Sequence, residues 1–308
     1  MPEDPKILCG VVPIAPTAFA TSGELDLEGQ RRIYDCMIDQ AVDGICILAN
    51  YSEQFLLSDD ERSIQLRLAL EHVRGRVPVI VTCSHFSTDI AVARAKTAAA
   101  AGAAMLMMMP PYHGVGLRAD EGGMIEHFAR VADAARLPIM VQDAPLSGVH
   151  LSVPFLVRLA REVPLVSYFK IEVPGTAAKL RQLIALGGKS IAGPFDGEEA
   201  ITLLADLEAG ATGTMPSALL PDLIRPVLTS YMADDKAKAA AVYAAILPLI
   251  NYENRQCGLR ATKTIMMEGG VIGSDFVRHP LVALDPATRA GLLKLARVAN
   301  PLALRWGK

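Results

Sequence analysis

The chain has no C-x-x-C pair and no H-x-x-x-H pair. Its five cysteines, Cys9, Cys36, Cys46, Cys83 and Cys257, are scattered and odd in number. That argues against a disulfide framework and for a reduced, cytoplasmic setting. The six histidines show no zinc-type spacing, so no metal site is expected. There is no long run of one charge, and the net charge of −3 argues against a nucleic-acid surface. No apolar run is long enough for a membrane span. The most apolar stretch, around Ala98 to Met109, is interrupted by Gly102 and ended by Pro110-Pro111. The first residues, MPEDPKILCG, lack a basic start and a long apolar segment, so no signal peptide is expected.

Two enzyme signatures are also missing. The first turn, Ala15-Pro16-Thr17-Ala18-Phe19, is not the glycine-rich turn of a doubly wound nucleotide-binding sheet. Ser52-Glu53 lacks the glycines of a nucleophile elbow. Gly114-Val115-Gly116 with Ala119 superficially fits a dinucleotide loop, but it falls in the fourth repeat of a different pattern and reads as a loop.

That pattern is an eightfold alternation. Short β-like runs begin at Gly10, Gly44, Pro78, Ala103, Pro138, Val166, Ser190 and Ala211, and end at Ala15, Ala49, Cys83, Met109, Gln142, Ile171, Gly193 and Met215. Helical spacing fills the gaps, as in Leu27 to Gln40, Ser58 to Val73 and Ser87 to Ala101. Ser58 with Glu61 makes a capping box, and Ser152 before Pro154 is an N-cap. Eight βα units predict an α/β fold, a (β/α)8 TIM barrel. The barrel domain is expected over residues 1–220. Residues 221–308 read as helical, with Lys236 to Ile250 the clearest case, and are expected as a C-terminal extension packed on the barrel. Methionines 105, 107, 108 and 109 read as packing residues.

The sixth run, Val166-Ser167-Tyr168-Phe169-Lys170-Ile171-Glu172, ends in an amine and a carboxylate two residues apart. In a strand these share one face. A desolvated lysine can lose its proton near neutral pH and attack a carbonyl. A structural ion pair is the alternative. Barrel chemistry sits where strands end. The other strand ends supply Asn50-Tyr51-Ser52-Glu53, Ser84-His85, Pro110-Pro111-Tyr112-His113, Gln142-Asp143-Ala144-Pro145 and Gly193-Pro194-Phe195-Asp196.

This ordered set resembles the class I pyruvate-dependent lyases typified by dihydrodipicolinate synthase and N-acetylneuraminate lyase. Pro13-x-x-Pro16-Thr17-x-Phe19 and Gly23-x-x-Asp26 match the family's opening. Leu57-Ser58-x-x-Glu61-Arg62, Pro110-Pro111-Tyr112, Pro145, Gly193 and Gly210-Ala211-x-Gly213 match later elements, and Lys170 falls where the Schiff-base lysine sits. Asn50 and Tyr51 replace the family's strand-2 hydroxyls, and Gln142 replaces its tyrosine proton relay. Glutamine cannot shuttle a proton. These departures look like the branch that dehydrates 2-keto-3-deoxy sugar acids, with L-2-keto-3-deoxyarabonate giving 2,5-dioxopentanoate and water.

The resemblance implies catalysis by Lys170 and Glu172, with no cofactor because the lysine itself is the electron sink. The substrate-binding residues expected are Asn50, Tyr51, Ser52, Gln142, Tyr112, Gly193 and His85. Glu172 is expected roughly 7 Å along the strand from Lys170, with a water able to bridge them. A homotetramer, a dimer of dimers, is implied by the resemblance alone. A pyruvate-dependent aldolase, a dihydrodipicolinate synthase-like condensing enzyme and a non-catalytic ligand-binding barrel remain open at this point.

Overall fold

A computed structural model describes residues 8–114 and 117–308. The signal-peptide reading at MPEDPKI and the loop reading at Val115 and Gly116 therefore lie outside the described residues. The eight strands of the alternation are β1 (Gly10–Val11), β2 (Ile45–Ile47), β3 (Val79–Thr82), β4 (Met105–Met108), β5 (Ile139–Asp143), β6 (Val166–Ile171), β7 (Gly193–Asp196) and β8 (Gly213–Thr214). The architecture is a (β/α)8 barrel with a C-terminal helical extension. By its internal contacts the chain divides into two units.

The first unit holds the residues up to Gly10 with 80–198 and 202–214. Its strands pair in parallel in the order β8-β7-β6-β5-β4-β3. Between them run helices Thr88–Ala101, Glu121–Ala135, Val153–Glu162, Thr176–Gly187 and Leu203–Glu208. Strands covered on both faces need near-continuous apolar sequence. β4, written MLMM, and β6, written VSYFKI, meet that need except at Ser167 and Lys170. Every residue of β4, β5 and β7 is buried.

The second unit holds residues 11–79, 199–201 and 215–308. Ile14 bridges in parallel to Cys46 on one side and to Ser217 on the other. Asp26 caps helix Leu27–Asp39 through the Gly29 amide. Ser58 and Glu61 form the expected reciprocal box at the start of helix Asp59–Val73. The C-terminal part supplies helices Pro221–Met232, Lys236–Tyr252, Arg260–Glu268 and Pro286–Ala299, with a π-helical turn at Glu253–Cys257. Among the described residues no helix is long and apolar enough to cross a membrane.

Two expectations need correction. The seventh strand runs Gly193–Asp196, whereas Ser190 closes a 3-10 turn, Gly188–Ser190. Gly193 therefore opens the strand instead of ending it. In addition, Tyr112–His113 pairs antiparallel with Leu117–Arg118, a small hairpin that the periodicity did not reveal.

Candidate active site

Register brings Gln142, Lys170 and Phe195 of the first unit into one row. Gln142 of β5 pairs with Lys170 of β6, and Lys170 pairs with Phe195 of β7. Paired residues of a parallel sheet share a face, so these three side chains stand side by side. Phe195 is fully buried and Lys170 is 3% exposed, so the amine is largely removed from water.

Lys170 Nζ forms an ion pair directly with Glu172 Oε1. No bridging water is needed. Glu172 stands just past the end of β6, where the side chain bends back toward the lysine. Its backbone N–H donates to the Asp143 carbonyl at 2.9 Å, which fixes the residue on the end of β5. Gln142 Nε2 donates to both carboxylate oxygens of Glu172, at 3.3 and 3.2 Å. The glutamine thus holds the carboxylate. Its own Oε1 is buried with no hydrogen-bond partner among the described residues. A buried carbonyl oxygen in that condition is costly and suits a donor brought by a ligand.

The opposite face of the same strands carries a supporting set. Lys179 of helix Thr176–Gly187 pairs with Asp143 at 2.5 Å and donates to the Leu151 carbonyl at 2.5 Å. Burial raises the Asp143 carboxyl, and Lys179 opposes that rise. Asp196 accepts the Thr214 hydroxyl, while Thr202 donates to Asp206 at 2.6 Å. Asp196 and Asp206 are both fully buried. Burial first, and the Asp206 carboxyl second, push Asp196 well above the usual carboxylate range.

The remaining expected site residues are placed as follows. Tyr112 is half-buried in the hairpin, and burial raises its phenol. His85 is half-buried after β3, and its Nδ1 accepts the Ser87 amide at 2.9 Å. Gly193 pairs with Tyr168, and a Cβ there would lie 2.1 Å from the Tyr168 ring. It is a packing glycine, two residues before the row of Lys170. Asn50, Tyr51 and Ser52 form a 3-10 turn in the second unit. The Ser52 hydroxyl donates to the Ala15 carbonyl at 2.6 Å and accepts the Ala49 amide at 3.1 Å. It is 2% exposed, and both bonds tie the hydroxyl to the turn. Asn50 is half-buried, and its Oδ1 accepts from Gln54 at 2.7 Å.

The second unit contains a second buried lysine. Lys263 pairs with Glu53, and both side chains are fully buried. Lys263 also donates to the carbonyls of Phe276, at 2.6 Å, and Thr17, at 3.3 Å. Its ammonium lies 4.8 Å from the Phe19 ring centroid. All three N–H donors are engaged, so this lysine is built into the structure. Burial pushes both partners toward their neutral forms, and their mutual attraction opposes it.

The dihydrodipicolinate synthetase family matches residues 8–298. The chain belongs to that family. It is 58% identical over 297 residues to the L-2-keto-3-deoxyarabonate dehydratase of Azospirillum brasilense, covering 96% of each chain. Its structure superimposes on a prophage protein of the dihydrodipicolinic acid synthase family from E. coli K12, solved in complex with pyruvate. That match has a TM-score of 0.86 and 25% identity, covering 96% of this chain and 99% of that one. Dihydrodipicolinate synthase from Aquifex aeolicus shares the fold, with a TM-score of 0.88 at 22% identity over 95% of this chain and 98% of that one. Relatives with different printed activities thus share one fold, so the fold alone does not fix the activity.

Proposed function

We propose that this chain is a Schiff-base-forming hydro-lyase acting on a 2-keto-3-deoxy sugar acid, with L-2-keto-3-deoxyarabonate as the substrate. The observation that carries the proposal is the three-residue contact of Lys170, Glu172 and Gln142. The 58% identity to a dehydratase of that name supports the choice of substrate.

The chemistry follows from the contact. Glu172 takes a proton from the Lys170 ammonium, and the neutral amine attacks the C2 ketone. Loss of the carbonyl oxygen as water leaves an iminium. The iminium withdraws electrons, so a C3–H becomes acidic and Glu172 removes it. The enamine electrons then expel the C4 hydroxyl, which leaves as water with the proton held by Glu172. Hydrolysis frees the lysine. Tautomerisation moves a hydrogen from C5 to C3, giving an enol at C4–C5, and then the C5 hydroxyl hydrogen to C4, which gives 2,5-dioxopentanoate. Overall the substrate loses one water.

Gln142 keeps the carboxylate oriented and offers Oε1 to a substrate hydroxyl. Glutamine carries no exchangeable acid proton, so it does not assist the retro-aldol step that would need the C4 hydroxyl deprotonated. Asn50, Tyr51 and the backbone amides of their turn are assigned the substrate carboxylate, and Tyr112 and His85 a lining role, on the family resemblance alone. The enzyme is proposed to work as a cytoplasmic homotetramer in pentose catabolism, which light scattering of the purified protein tests. The deciding experiment gives the protein L-2-keto-3-deoxyarabonate and identifies the products by mass. Release of 2,5-dioxopentanoate supports the proposal. Pyruvate and glycolaldehyde as main products would overturn it in favour of an aldolase.

A further inference from the structure

We propose that Gly197 is a positioning residue whose missing side chain lets Glu172 close on Lys170, an inference that rests on the proposed roles of those two residues. Gly197 directly follows β7. A Cβ at this position would lie 2.4 Å from Glu172 Cγ, 3.1 Å from the Ile171 carbonyl oxygen and 3.1 Å from Lys170 Cε. The first distance is far inside van der Waals contact. The other two leave the added methyl no room to slide aside. One obstacle is the backbone of β6, and the other is the stem of a lysine that is itself buried. The group that must yield is the Glu172 side chain.

Glu172 has little freedom to yield without leaving the site. Its amide is tied to the Asp143 carbonyl, and its carboxylate is gripped by Lys170 and by both contacts from Gln142. Turning Cγ away from a methyl at 197 swings the carboxylate off the ammonium. A proton-transfer group displaced by about 1 Å loses much of its effect. Gly197 is not among the glycines with positive φ, so backbone conformation does not call for glycine here. Space does. The side chain absent at 197 is therefore part of what aligns the acid/base pair.

The test is a double-mutant cycle of Gly197→Ala and Glu172→Ala. Each protein is assayed for thermal melting, for turnover, and for Lys170 adduct with pyruvate and borohydride. Gly197→Ala alone should lower turnover at least tenfold and lower the melting temperature, while the adduct still forms. In the Glu172→Ala background the methyl meets no carboxylate stem. There Gly197→Ala should change turnover less than threefold and cost much less in melting temperature. If Gly197→Ala alone fails to fold, the double variant should fold. Equal losses in both backgrounds, a double variant that also fails to fold, or full turnover in Gly197→Ala would overturn the inference. The melting cycle reads the contact whatever the reaction is. Absence of any adduct in the wild-type enzyme would instead overturn the Schiff-base function.

Discussion

Gln142, on β5, and Glu172, just past the end of β6, are joined by two hydrogen bonds from one amide nitrogen to both carboxylate oxygens, at 3.3 and 3.2 Å. In the proposed mechanism, the residue that stands where the resemblance implies a tyrosine relay holds the acid/base. Glutamine and glutamate there are therefore not independent, and their variants should not behave additively.

Glu172→Gln keeps the shape but ends proton transfer. Turnover should fall by roughly 10²-fold or more, the usual contribution of such a group. If Glu172 served only as counter-ion, its loss would strand a buried cation and lower the melting temperature, with activity tracking folded protein. Melts and single-turnover rates on the same samples separate the two outcomes.

Gln142→Glu sets a second carboxylate beside Glu172. Two carboxylates in contact hold a proton between them, so protonation of the pair persists to higher pH. The acidic limb of the kcat/KM profile should shift upward relative to wild type. An unshifted limb would detach Gln142 from the acid/base. Gln142→Ala removes both the holder and its Oε1, and should lower kcat and raise KM together.

Two buried lysines make the site of modification decisive. Pyruvate followed by borohydride should label the peptide carrying Lys170 and leave the Lys263 peptide unlabelled. All three N–H groups of the Lys263 ammonium are engaged, by Glu53 and two carbonyls, so it offers no lone pair to a carbonyl carbon. Lys170→Ala should abolish turnover in a folded protein. Glu53→Gln, by contrast, removes the counter-ion of Lys263 and should cost about 3–5 kcal/mol of stability while the adduct at Lys170 still forms in the folded fraction. Peptide mapping by mass and denaturant titration read the two effects.

The parts of this arrangement that were legible in the sequence are those with short-range causes. β6 spans Val166–Ile171 as its apolar run predicts, and the Ser58–Glu61 box starts its helix as the spacing requires. Lys170 and Glu172 could be placed together because two residues along a strand return to one face. What escaped depends on tertiary neighbours or on absent atoms. The seventh run is read as Ser190 to Gly193, short of Pro194, a residue with no amide for the ladder. The structure continues through it to Asp196. The partner of Glu53 lies 210 residues away at Lys263, and nothing local announces it. The direct Lys170–Glu172 contact was expected as a water bridge, since strand rise alone takes no account of a side chain folding back at the strand end. The bonds that tie the Ser52 hydroxyl to the Ala15 carbonyl and the Ala49 amide depend likewise on folded neighbours.

A last prediction concerns pH and stability rather than catalysis. Glu253 opens the π-helical turn of the second unit and is fully buried. Burial first, and the charge of Glu199 second, push its carboxyl up to about 8. The Thr262 hydroxyl donates to Oε1 at 3.3 Å, while Oε2 has no partner among the described residues. The folded protein thus keeps this carboxyl protonated where the unfolded chain has lost the proton. Between the ordinary value of 4.5 and about 8, the native state binds more protons than the unfolded state. Stability contributed by this group is complete below 4.5 and falls as pH rises through that window. The slope from one such group reaches at most ~1.4 kcal/mol per pH unit. Glu253→Gln retains a neutral side chain of the same shape and removes the titration. Denaturant midpoints of wild type should therefore decline from pH 5 to pH 8 more steeply than those of Glu253→Gln, with the variant the more stable protein at the alkaline end. Parallel slopes in the two proteins would mean that Glu253 is ionised in the fold, and that Oε2 is satisfied by a donor such as water.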